Sequence, residues 1–509
     1  MNANLYERLV GSTENGEQAA IEMPDGISYS YSDLVALSAR IANVLVARGV
    51  KPGDRVAAKV EKSFTALVLY LATLRAGAVY LPLNVAYTIA ETGYFLGDAE
   101  PSLVVCDPRE EQEIRIVAAR ISASVETLDE TGNGSLTEAA SIASSCFASV
   151  QRTPDDLAAI LYTSGTTGRS KGAMLTHDNL LSNAMTLSEQ WCFTPDDRLI
   201  HALPIYHTHG LFVASNVTLM SGGTLLLLPK FDADQIVKLM TRATVLMGVP
   251  TFYVRLLQHP QLNHEMARDV RLFVSGSAPL LAETHREWKA RTGHAILERY
   301  GMTETNMITS NPYRGARVPG AVGLPLPAVS VRITDPDTGS ELPAGEIGMI
   351  EVRGPNVFKG YWRMPEKTAA EFRTDEFFVT GDLGKFDAQG YLHIVGRGKD
   401  LVISGGFNVY PKEVETEIDA IPGVVESAVI GVPDRDFGET VTAIVIRQAG
   451  ASIGEAAVLK ILRDRLAKFK LPKRVHFVDE LPRNAMGKVQ KNLLRQRFSP
   501  GVVVEDQAV

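Results

Sequence analysis

Short apolar runs alternate with longer segments of helical periodicity from Asp54 to about Gly315. Runs that are apolar on both faces and separated by helices are typical of a parallel sheet covered by helices on each side. The pattern therefore predicts a doubly wound, mostly parallel α/β domain, with ligands bound beyond the carboxyl ends of the strands. The strand-like runs include RVAAKVE, AVYLPLN, SLVVCD, LAAILYTS, RLFVSGSAP and AILERYG.

The pattern changes twice in the remainder of the chain. After about Gly315, strands of period two are separated by Gly and Pro, which predicts a β-rich subdomain of hairpins over residues 315–398. From Lys399 the order is helix, two strands and a second helix, EAAVLKILRDRLAKF. We therefore predict a core domain of residues 1–398 and a small mobile α+β domain of residues 399–509, with the boundary at Gly398–Asp400.

Length and charge narrow the class of protein. A chain of 509 residues exceeds the size at which one hydrophobic core keeps growing. A net charge of -8 has the wrong sign for wrapping nucleic acid or an anionic membrane, so an anionic ligand would need a local cationic site. The three cysteines lack the spacing of a disulfide framework or a zinc site. We expect a cytoplasmic enzyme without nucleic-acid or membrane partners.

The strongest chemical signal is the segment YTSGTTGRSKG from Tyr162 to Gly172, directly after a strand. Backbone amides freed by glycines, several hydroxyl groups and one lysine form a cradle for a polyphosphate. Its spacing differs from that of the P-loop, which disfavours an ordinary P-loop ATPase. The phosphate-binding residues predicted here are Thr163, Ser164, Gly165, Thr166, Thr167, Gly168 and Lys171.

This loop and the motifs that follow it resemble the adenylate-forming superfamily of acyl-CoA synthetases, firefly luciferases and the adenylation domains of peptide synthetases. The resemblance covers essentially the whole chain. It implies that a carboxylate attacks Mg-ATP to give an acyl-adenylate and pyrophosphate, and that coenzyme A then takes the acyl group. The motifs, in the family's order, are TSGTTGRSKG, LPIYHTHGL, VPTFY, SGSAPL, ERYGMTE, TGDLG, GRGKDLVISGGFNVYPKEVE and PRNAMGK.

The resemblance assigns the nucleotide contacts. Tyr300 is expected beside the adenine, Thr303 at the α-phosphate and Glu304 on Mg²⁺, a hard cation that prefers oxygen ligands. Asp382 and Arg397 are expected to bind the ribose hydroxyls. The other ATP-binding residues implied are Ser277, Ala278, Pro279, Glu298, Arg299, Gly301 and Met302.

The carboxyl-terminal motifs carry the remaining roles that the resemblance implies. Lys488 is expected to be catalytic together with Thr303 and Glu304, and to be a target of a lysine acetyltransferase and deacetylase. Lys399 is the expected hinge, and Ser404, Gly405 and Gly406 the loop that supports thioester formation. The basic run from Lys468 to Arg474 is either a solvated face or a site for the phosphates of coenzyme A.

Within the superfamily, the segments VPTFYVRLLQH, SGSAPL and ERYGMTETNM resemble malonyl-CoA synthetases. Burying the second carboxylate of malonate or methylmalonate without a cation would be prohibitive. Arg255 is the predicted partner, with His207 and Ser277 completing the pocket, and Arg286 is the alternative. The preference between malonate and methylmalonate stays open.

Other functions also remain open at this point. A medium-chain or aromatic acyl-CoA ligase would share the ATP motifs and line its acyl pocket with apolar residues. An adenylation domain that loads a carrier protein, a luciferase-like oxygenase and a non-catalytic nucleotide-binding protein are the remaining alternatives.

Overall fold

A computed structural model describes residues 2–10, 16–163, 170–404, 407–434, 438–484 and 487–499. The chain divides into two compact units. Unit 1 comprises residues 1–330 and 352–378, and unit 2 comprises residues 331–351 and 379–509. Among the described residues, no helix combines the length and the apolar character needed to cross a bilayer.

The strands are numbered in chain order. They are β1 Ala19–Glu22, β2 Ser28–Ser30, β3 Arg55–Lys59, β4 Val79–Pro82, β5 Leu103–Cys106, β6 Ser124–Thr127, β7 Leu157–Thr163, β8 Lys171–Thr176, β9 Arg198–His201, β10 Thr224–Leu227, β11 Val245–Gly248, β12 Leu272–Ser275, β13 Leu297–Met302, β14 Asn306–Ser310, β15 Leu324–Pro325, β16 Ser330–Thr334, β17 Gly348–Arg353, β18 Gly360–Tyr361, β19 Phe378–Phe386, β20 Leu392–Arg397, β21 Val402–Ser404, β22 Phe407–Val409, β23 Val424–Asp434, β24 Gly438–Arg447 and β25 Arg474–Val478.

The α-helices are numbered in the same way, and a π-helix spans His209–Ser215. They are α1 Leu5–Leu9, α2 Tyr31–Ala47, α3 Phe64–Arg75, α4 Ile89–Ala99, α5 Glu111–Ala119, α6 Ser135–Ile142, α7 His177–Gln190, α8 Asn216–Met220, α9 Ala233–Met240, α10 Pro250–Leu257, α11 His264–Ala267, α12 Ala282–Thr292, α13 Pro365–Glu371, α14 Pro411–Asp419, α15 Glu455–Arg463 and α16 Lys491–Phe498.

The described strands of unit 1 form two sheets. One has the order β15-β14-β13-β12-β11-β9-β10-β1-β2, and the other β18-β8-β7-β4-β3-β5-β6. Pairing is parallel from β1 through β10, β9, β11 and β12 to β13, and among β7, β4, β3, β5 and β6. The predicted doubly wound, mostly parallel architecture is therefore confirmed, with antiparallel strands added at the sheet edges.

Unit 2 contains the β-rich segment and the carboxyl-terminal residues. Strands β16, β17, β19 and β20 form one sheet, and β22, β21, β24 and β23 form another, with β25 pairing in parallel with β24. Helices α14 and α15 bury Val414, Ile418, Val458 and Leu462 against this second sheet. The predicted smaller carboxyl-terminal domain is confirmed, while its bounds at residues 399–509 and its mobility stay predictions.

The expected domain boundary and one predicted helix differ in detail from the structure. Gly398–Asp400 forms a short 3₁₀ turn between β20 and β21, inside unit 2. Its role as a boundary of movement stays a prediction. Helix α15 ends at Arg463 because Leu466 and Leu471 pack on the same core as Leu462, which requires the chain to turn.

Candidate active site

Strands β7 and β8 hold the two ends of the predicted phosphate loop. Their antiparallel register pairs Thr163 with Lys171, so the loop leaves and re-enters the sheet at neighbouring positions. The hydroxyl of Tyr94 donates a hydrogen bond to the carbonyl of Ser170, at 2.9 Å. The loop is thus anchored on both sides. Ser164, Gly165, Thr166, Thr167 and Gly168 lie outside the described residues.

Glu304 lies in the tight turn that joins β13 to β14. Its backbone carbonyl accepts a hydrogen bond from the amide of Phe358 at 2.7 Å, and the side chain of Asn356 donates to the carbonyl of Thr305 at 2.7 Å. A Cβ on Gly301 would lie 1.9 Å from the carbonyl oxygen of Asn306, so glycine is required for the strands to approach this closely. The turn fixes the backbone of Glu304, whose side chain is buried.

Tyr361 links Glu304 to a second carboxylate. Its hydroxyl lies 3.0 Å from Glu304 Oε1 and 2.6 Å from Glu371 Oε2. Lys171 Nζ lies 3.2 Å from Glu371 Oε1 and 4.0 Å from the centroid of the Tyr361 ring. Burial, together with the charge of Glu304, raises the pKa of Tyr361, so the phenol stays protonated. No sequence motif marks Tyr361 or Glu371 as functional, because only the tertiary fold brings them to Glu304.

The donors around Glu304 fit a magnesium ion that is bound mainly by phosphate. The hydroxyl of Thr163 lies 3.5 Å from Glu304 Oε1, so a carboxylate and a hydroxyl share one side of the site. In the part of the chain that the structure describes, no three His, Cys, Asp or Glu side chains cluster as an all-protein metal cage. Mg²⁺ usually takes one or two carboxylates and completes its shell with phosphate oxygens and water. This donor set is compatible with the expected role of Glu304.

A second group of polar side chains lies where β12 ends, next to Arg299 of β13. Ser277 adopts a left-handed backbone conformation, with φ of 70°, and its hydroxyl lies 3.2 Å from Nδ1 of His209 on the π-helix. The guanidinium of Arg299 packs on Gly276, where an added Cβ would lie 2.3 Å from Arg299 Cζ. Glycine at this position therefore makes room for the cation.

Four buried polar atoms in this group have no hydrogen-bond partner among the described residues: Nε and Nη2 of Arg299, Nε2 of His209 and Oγ of Ser275. Burial lowers the pKa of Arg299 to about 9, which leaves the guanidinium charged at neutral pH. Burial and the charge of Arg299 lower the pKa of His209 well below its ordinary value, so the imidazole is neutral. Among the described residues, this group therefore combines the cation of Arg299 with several polar atoms that lack a hydrogen-bond partner.

The arginines chosen from the sequence lie elsewhere. Arg255 is exposed, and its guanidinium lies 5.6 Å from the centroid of the Phe231 ring. Arg286 is exposed and pairs with Glu283 at 3.0 Å. A solvated cation offsets little of the cost of burying a carboxylate. A buried cation suits that role better, and Arg299 is buried whereas Arg255 and Arg286 are exposed.

His207 and Glu298 also differ in placement from their expected roles. The histidine that contacts Ser277 is His209, whereas His207 is half-buried two residues before the π-helix begins. The carboxylate of Glu298 points into the protein, where its Oε1 accepts from the amide of Gly320 and contacts Nδ1 of His285, both at 3.1 Å. These contacts favour a structural role for Glu298.

The remaining residues from the nucleotide motifs lie around the same strand ends. Tyr300 is buried in β13 opposite Thr309, and Met302 and Thr303 are half-buried where β13 enters its turn. Ala278 is half-buried and Pro279 is exposed, just beyond the turn at Ser277.

Unit 2 contains a separate cluster of charges around Asp382. Strands β19 and β20 pair Asp382 with Arg397, and Arg397 Nε lies 2.8 Å from Asp382 Oδ1. Asp400 is paired with Arg495 at 2.7 Å. Burial, with the charge of Arg397, lowers the pKa of Lys399.

Lys488 lies in the same charge cluster. Its amide donates to Oδ1 of Asn484 at 3.0 Å, within a turn in which Gly487 has φ of 73°. Burial, with the charge of Arg397, lowers the pKa of Lys488 to about 8, although Asp382 opposes the shift. Ser404 is buried in β21. Gly405 and Gly406, and the two residues before Gly487, lie outside the described residues.

Comparisons with protein-family models identify the two parts of the chain. Residues 10–362 match the model described as AMP-binding enzyme, and residues 413–488 match the AMP-binding enzyme C-terminal domain. The first match covers more than half of the chain. The segment between the two matches contains Asp382, Arg397 and Lys399.

Curated proteins and solved structures resemble the chain over nearly its full length. A feruloyl-CoA synthase of Amycolatopsis sp is 37% identical, covering 93% of this chain and 94% of that protein. A malonate–CoA ligase of Arabidopsis thaliana is 35% identical, covering 93% and 85%. The crystal structure of ATP-bound MatB from Rhodopseudomonas palustris is 68% identical, with a TM-score of 0.97 and coverage of 98% and 99%.

The lowered pKa of Lys488 predicts how the adenylation step depends on pH. In the role expected from the sequence, Lys488 must be charged to stabilise the α-phosphate. On that expectation, kcat/KM for pyrophosphate release should fall as pH rises through about 8. Lys488→Ala should lower kcat/KM for pyrophosphate release by a factor on the order of 10² to 10³. It should also abolish the decrease of kcat/KM near pH 8.

Chemically supplied acyl-adenylate provides the control for Lys488. Its conversion by coenzyme A should be little affected by Lys488→Ala and should show no falling limb near pH 8, since the thiolate becomes more abundant as pH rises. An equal loss in both half-reactions would contradict the role given to Lys488.

Proposed function

Because the chain belongs to the AMP-binding enzyme family, we propose that it is an ATP-dependent acid–thiol ligase that converts malonate, or its 2-methyl derivative, to the coenzyme A thioester. A carboxylate oxygen of the acid attacks the α-phosphorus of ATP, and pyrophosphate leaves. The sulfur of coenzyme A then attacks the acyl carbon, its proton passes to solvent, and AMP leaves. No enzyme nucleophile takes part, so catalysis depends on positioning and on stabilisation of charge.

In unit 1, we assign the phosphate loop and Glu304 to ATP. Magnesium, when bound, would neutralise phosphate charge. The buried Glu304 carboxylate and the Thr163 hydroxyl hold that side of the site, and Tyr300 lies on the strand that leads to it. The fixed β13–β14 turn supports this assignment, because a positioned carboxylate costs no reorganisation when the nucleotide arrives.

Arg299 carries the proposal for the acid substrate. A buried guanidinium with two unsatisfied nitrogens is costly for the protein unless a ligand pairs with it. The planar fork of arginine matches a carboxylate, and His209 and Ser275 add further polar contacts. A dicarboxylate such as malonate satisfies these groups at its distal end.

The relatives alone do not separate the candidate acids. A feruloyl-CoA synthase and malonate–CoA ligases have similar identity to this chain, at 37% and at 35% to 36%. An aromatic acid would leave the guanidinium of Arg299 buried without a partner. The cation in the acyl pocket therefore favours a dicarboxylate over a medium-chain or aromatic acid.

We assign the charge cluster of unit 2 to the ribose and the transferring phosphate. Asp382 and Arg397 are proposed to bind the ribose hydroxyls, and Lys488 the α-phosphate and the substrate carboxylate. Acetylation would remove the charge of Lys488, so a lysine acetyltransferase and deacetylase are proposed regulators. The cytoplasm, which supplies ATP and coenzyme A, is the location we expect.

A panel of carboxylic acids tests the substrate assignment. With ATP, Mg²⁺ and coenzyme A, wild-type enzyme should release pyrophosphate fastest with malonate or methylmalonate. Arg299→Leu should reduce kcat/KM for malonate by a factor on the order of 10² to 10³, which corresponds to about 3 to 4 kcal/mol for a desolvated carboxylate without its partner. For propionate and butyrate, the decrease in kcat/KM caused by Arg299→Leu should be much smaller.

Arg255→Leu is the matched control, because it removes an exposed arginine from the same unit. The ratio of kcat/KM for malonate to kcat/KM for propionate should stay within about twofold of the wild-type ratio. A wild-type preference for a monocarboxylate, or a uniform loss across all acids in Arg299→Leu, would refute the dicarboxylate assignment without affecting the acid–thiol ligase activity.

The hinge assigned to Lys399 is tested by restricting its backbone. Lys399→Pro fixes φ near -65° and should slow thioester formation at least tenfold while pyrophosphate release survives, since only the second step is proposed to need rotation. Lys399→Ala removes the charge but keeps the backbone freedom, and should retain both half-reactions. Unchanged rates in Lys399→Pro would place the hinge elsewhere.

A further inference from the structure

The hydroxyl of Tyr361 occupies an unusual position between two acidic side chains. It lies within hydrogen-bond distance of both Glu304 and Glu371. A phenol has one proton to donate, so donation to one carboxylate leaves a lone pair facing the other. Neither Tyr361 nor Glu371 has a role in the function proposed above.

The backbone of Tyr361 is held in place by its strand. Tyr361 lies in the edge strand β18, where it pairs with Ala173 of β8. Its amide donates to the hydroxyl of Thr368 at 2.9 Å. Gly360, with φ of 130°, packs on Thr368, where an added Cβ would lie 2.6 Å from the Thr368 methyl carbon. The phenol therefore approaches Glu304 from a fixed direction.

The ring and the hydroxyl of Tyr361 are held by two further groups. Lys171 lies over the ring face, and Glu371 Oε2 lies 2.6 Å from the hydroxyl oxygen. Glu371 also pairs with Lys171 at 3.2 Å and with Lys367 at 2.8 Å. Burial acts to raise the pKa of Glu371, but the hydrogen bond from Lys367 and the charge of Lys171 act against burial, and the pKa is lowered. Glu371 is thus a fixed carboxylate at neutral pH.

We propose that Tyr361 is a positioning residue, whose hydroxyl directs the Glu304 carboxylate toward the metal of Mg-ATP, and that Glu371 and Lys171 hold Tyr361 in this orientation. The inference rests on the proposed ATP-dependent function, in which Glu304 binds that metal. Without the hydroxyl, Glu304 loses the hydrogen bond that Tyr361 supplies and faces the carboxylate of Glu371. Repulsion then turns Glu304 away from the direction in which it meets the metal.

The test compares nucleotide binding with and without metal. Dissociation constants for ATP are measured by titration calorimetry in Mg²⁺ and in EDTA, without acid or coenzyme A. Their ratio is the metal-dependent gain in affinity, and it does not require catalysis. Tyr361→Phe retains the ring under Lys171 and should reduce this gain about tenfold, as expected for loss of one hydrogen bond to a charged group.

Two variants separate positioning from a general loss of stability. Tyr31→Phe removes another buried hydroxyl, which donates to the carbonyl of Gly223 at 2.8 Å, and should leave the gain unchanged. On a Glu304→Gln background, Tyr361→Phe should have no further effect, because its action passes through Glu304. An additional loss on that background would overturn the proposal.

Glu371→Gln gives an independent result that does not require Tyr361→Phe to fold. The carboxamide of Gln can still hold Tyr361, because it donates to the phenol oxygen while the hydroxyl donates to Glu304. The metal-dependent gain should therefore stay within about twofold of wild type. If Glu371→Gln lost as much of the metal-dependent gain as is expected of Tyr361→Phe, the proposal would be overturned. A metal-dependent gain larger than that of wild type in Tyr361→Phe would also overturn it, because the hydroxyl would then only neutralise charge.

Kinetics add a readout that separates failure of the proposed function from failure of this inference. In Tyr361→Phe, KM for Mg-ATP in pyrophosphate release should rise about tenfold with kcat changed less than threefold, and turnover of supplied acyl-adenylate should be unchanged. If wild type released no pyrophosphate with any acid, the proposed function would fail, while the binding ratios would still decide the role of Tyr361. Absence of any metal-dependent gain in wild type would overturn the role itself.

Discussion

The register of strand β13 between its two neighbours determines most of the candidate site in unit 1. On one side β13 pairs in parallel with β12, which places Glu298 opposite Ser275. On the other side it turns back tightly into β14 at a position that admits only glycine, Gly301. A shift of one residue would move every side chain of β13 to the opposite face. Both Arg299 and Glu304 would then lose their positions.

The buried charges of the site in unit 1 differ in whether they have partners within the protein. Lys171 and Glu371 are paired, and Glu298 accepts hydrogen bonds inside the protein. Arg299 is the contrast, because two of its nitrogens have no partner among the described residues. Structural charges are usually compensated within the fold, and a charge left for a ligand is costly until that ligand binds. This difference is the physical reason for proposing Arg299 as the group that binds the acid.

In unit 2, burial and neighbouring charges lower the pKa values of two lysines. Lys399 and Lys488 share a neighbourhood with Arg397, and the mutual repulsion of these cations adds to burial in lowering their pKa values. Asp382 and Asp400 limit the shift, so Lys488 keeps a pKa of about 8 and is largely charged at neutral pH. A lysine with a pKa near the working pH can lose its proton through a small change in surroundings, whereas arginine in the same place could not.

The sequence alone determined the parallel α/β fold, the two-part organisation and the phosphate, Glu304 and Lys488 motifs, because strand periodicity and motif order are local properties of the chain. It assigned Arg299 to the nucleotide and Arg255 to the acid, because the burial of either side chain is not visible in the local pattern. Only strand pairing shows that Arg299 is buried beside Gly276 while Arg255 is exposed. The sequence likewise contained no sign of Tyr361 and Glu371. These residues meet Glu304 through β18 and α13, which come more than fifty residues later in the chain. Contacts over such separations depend on packing and leave no periodic pattern in the sequence.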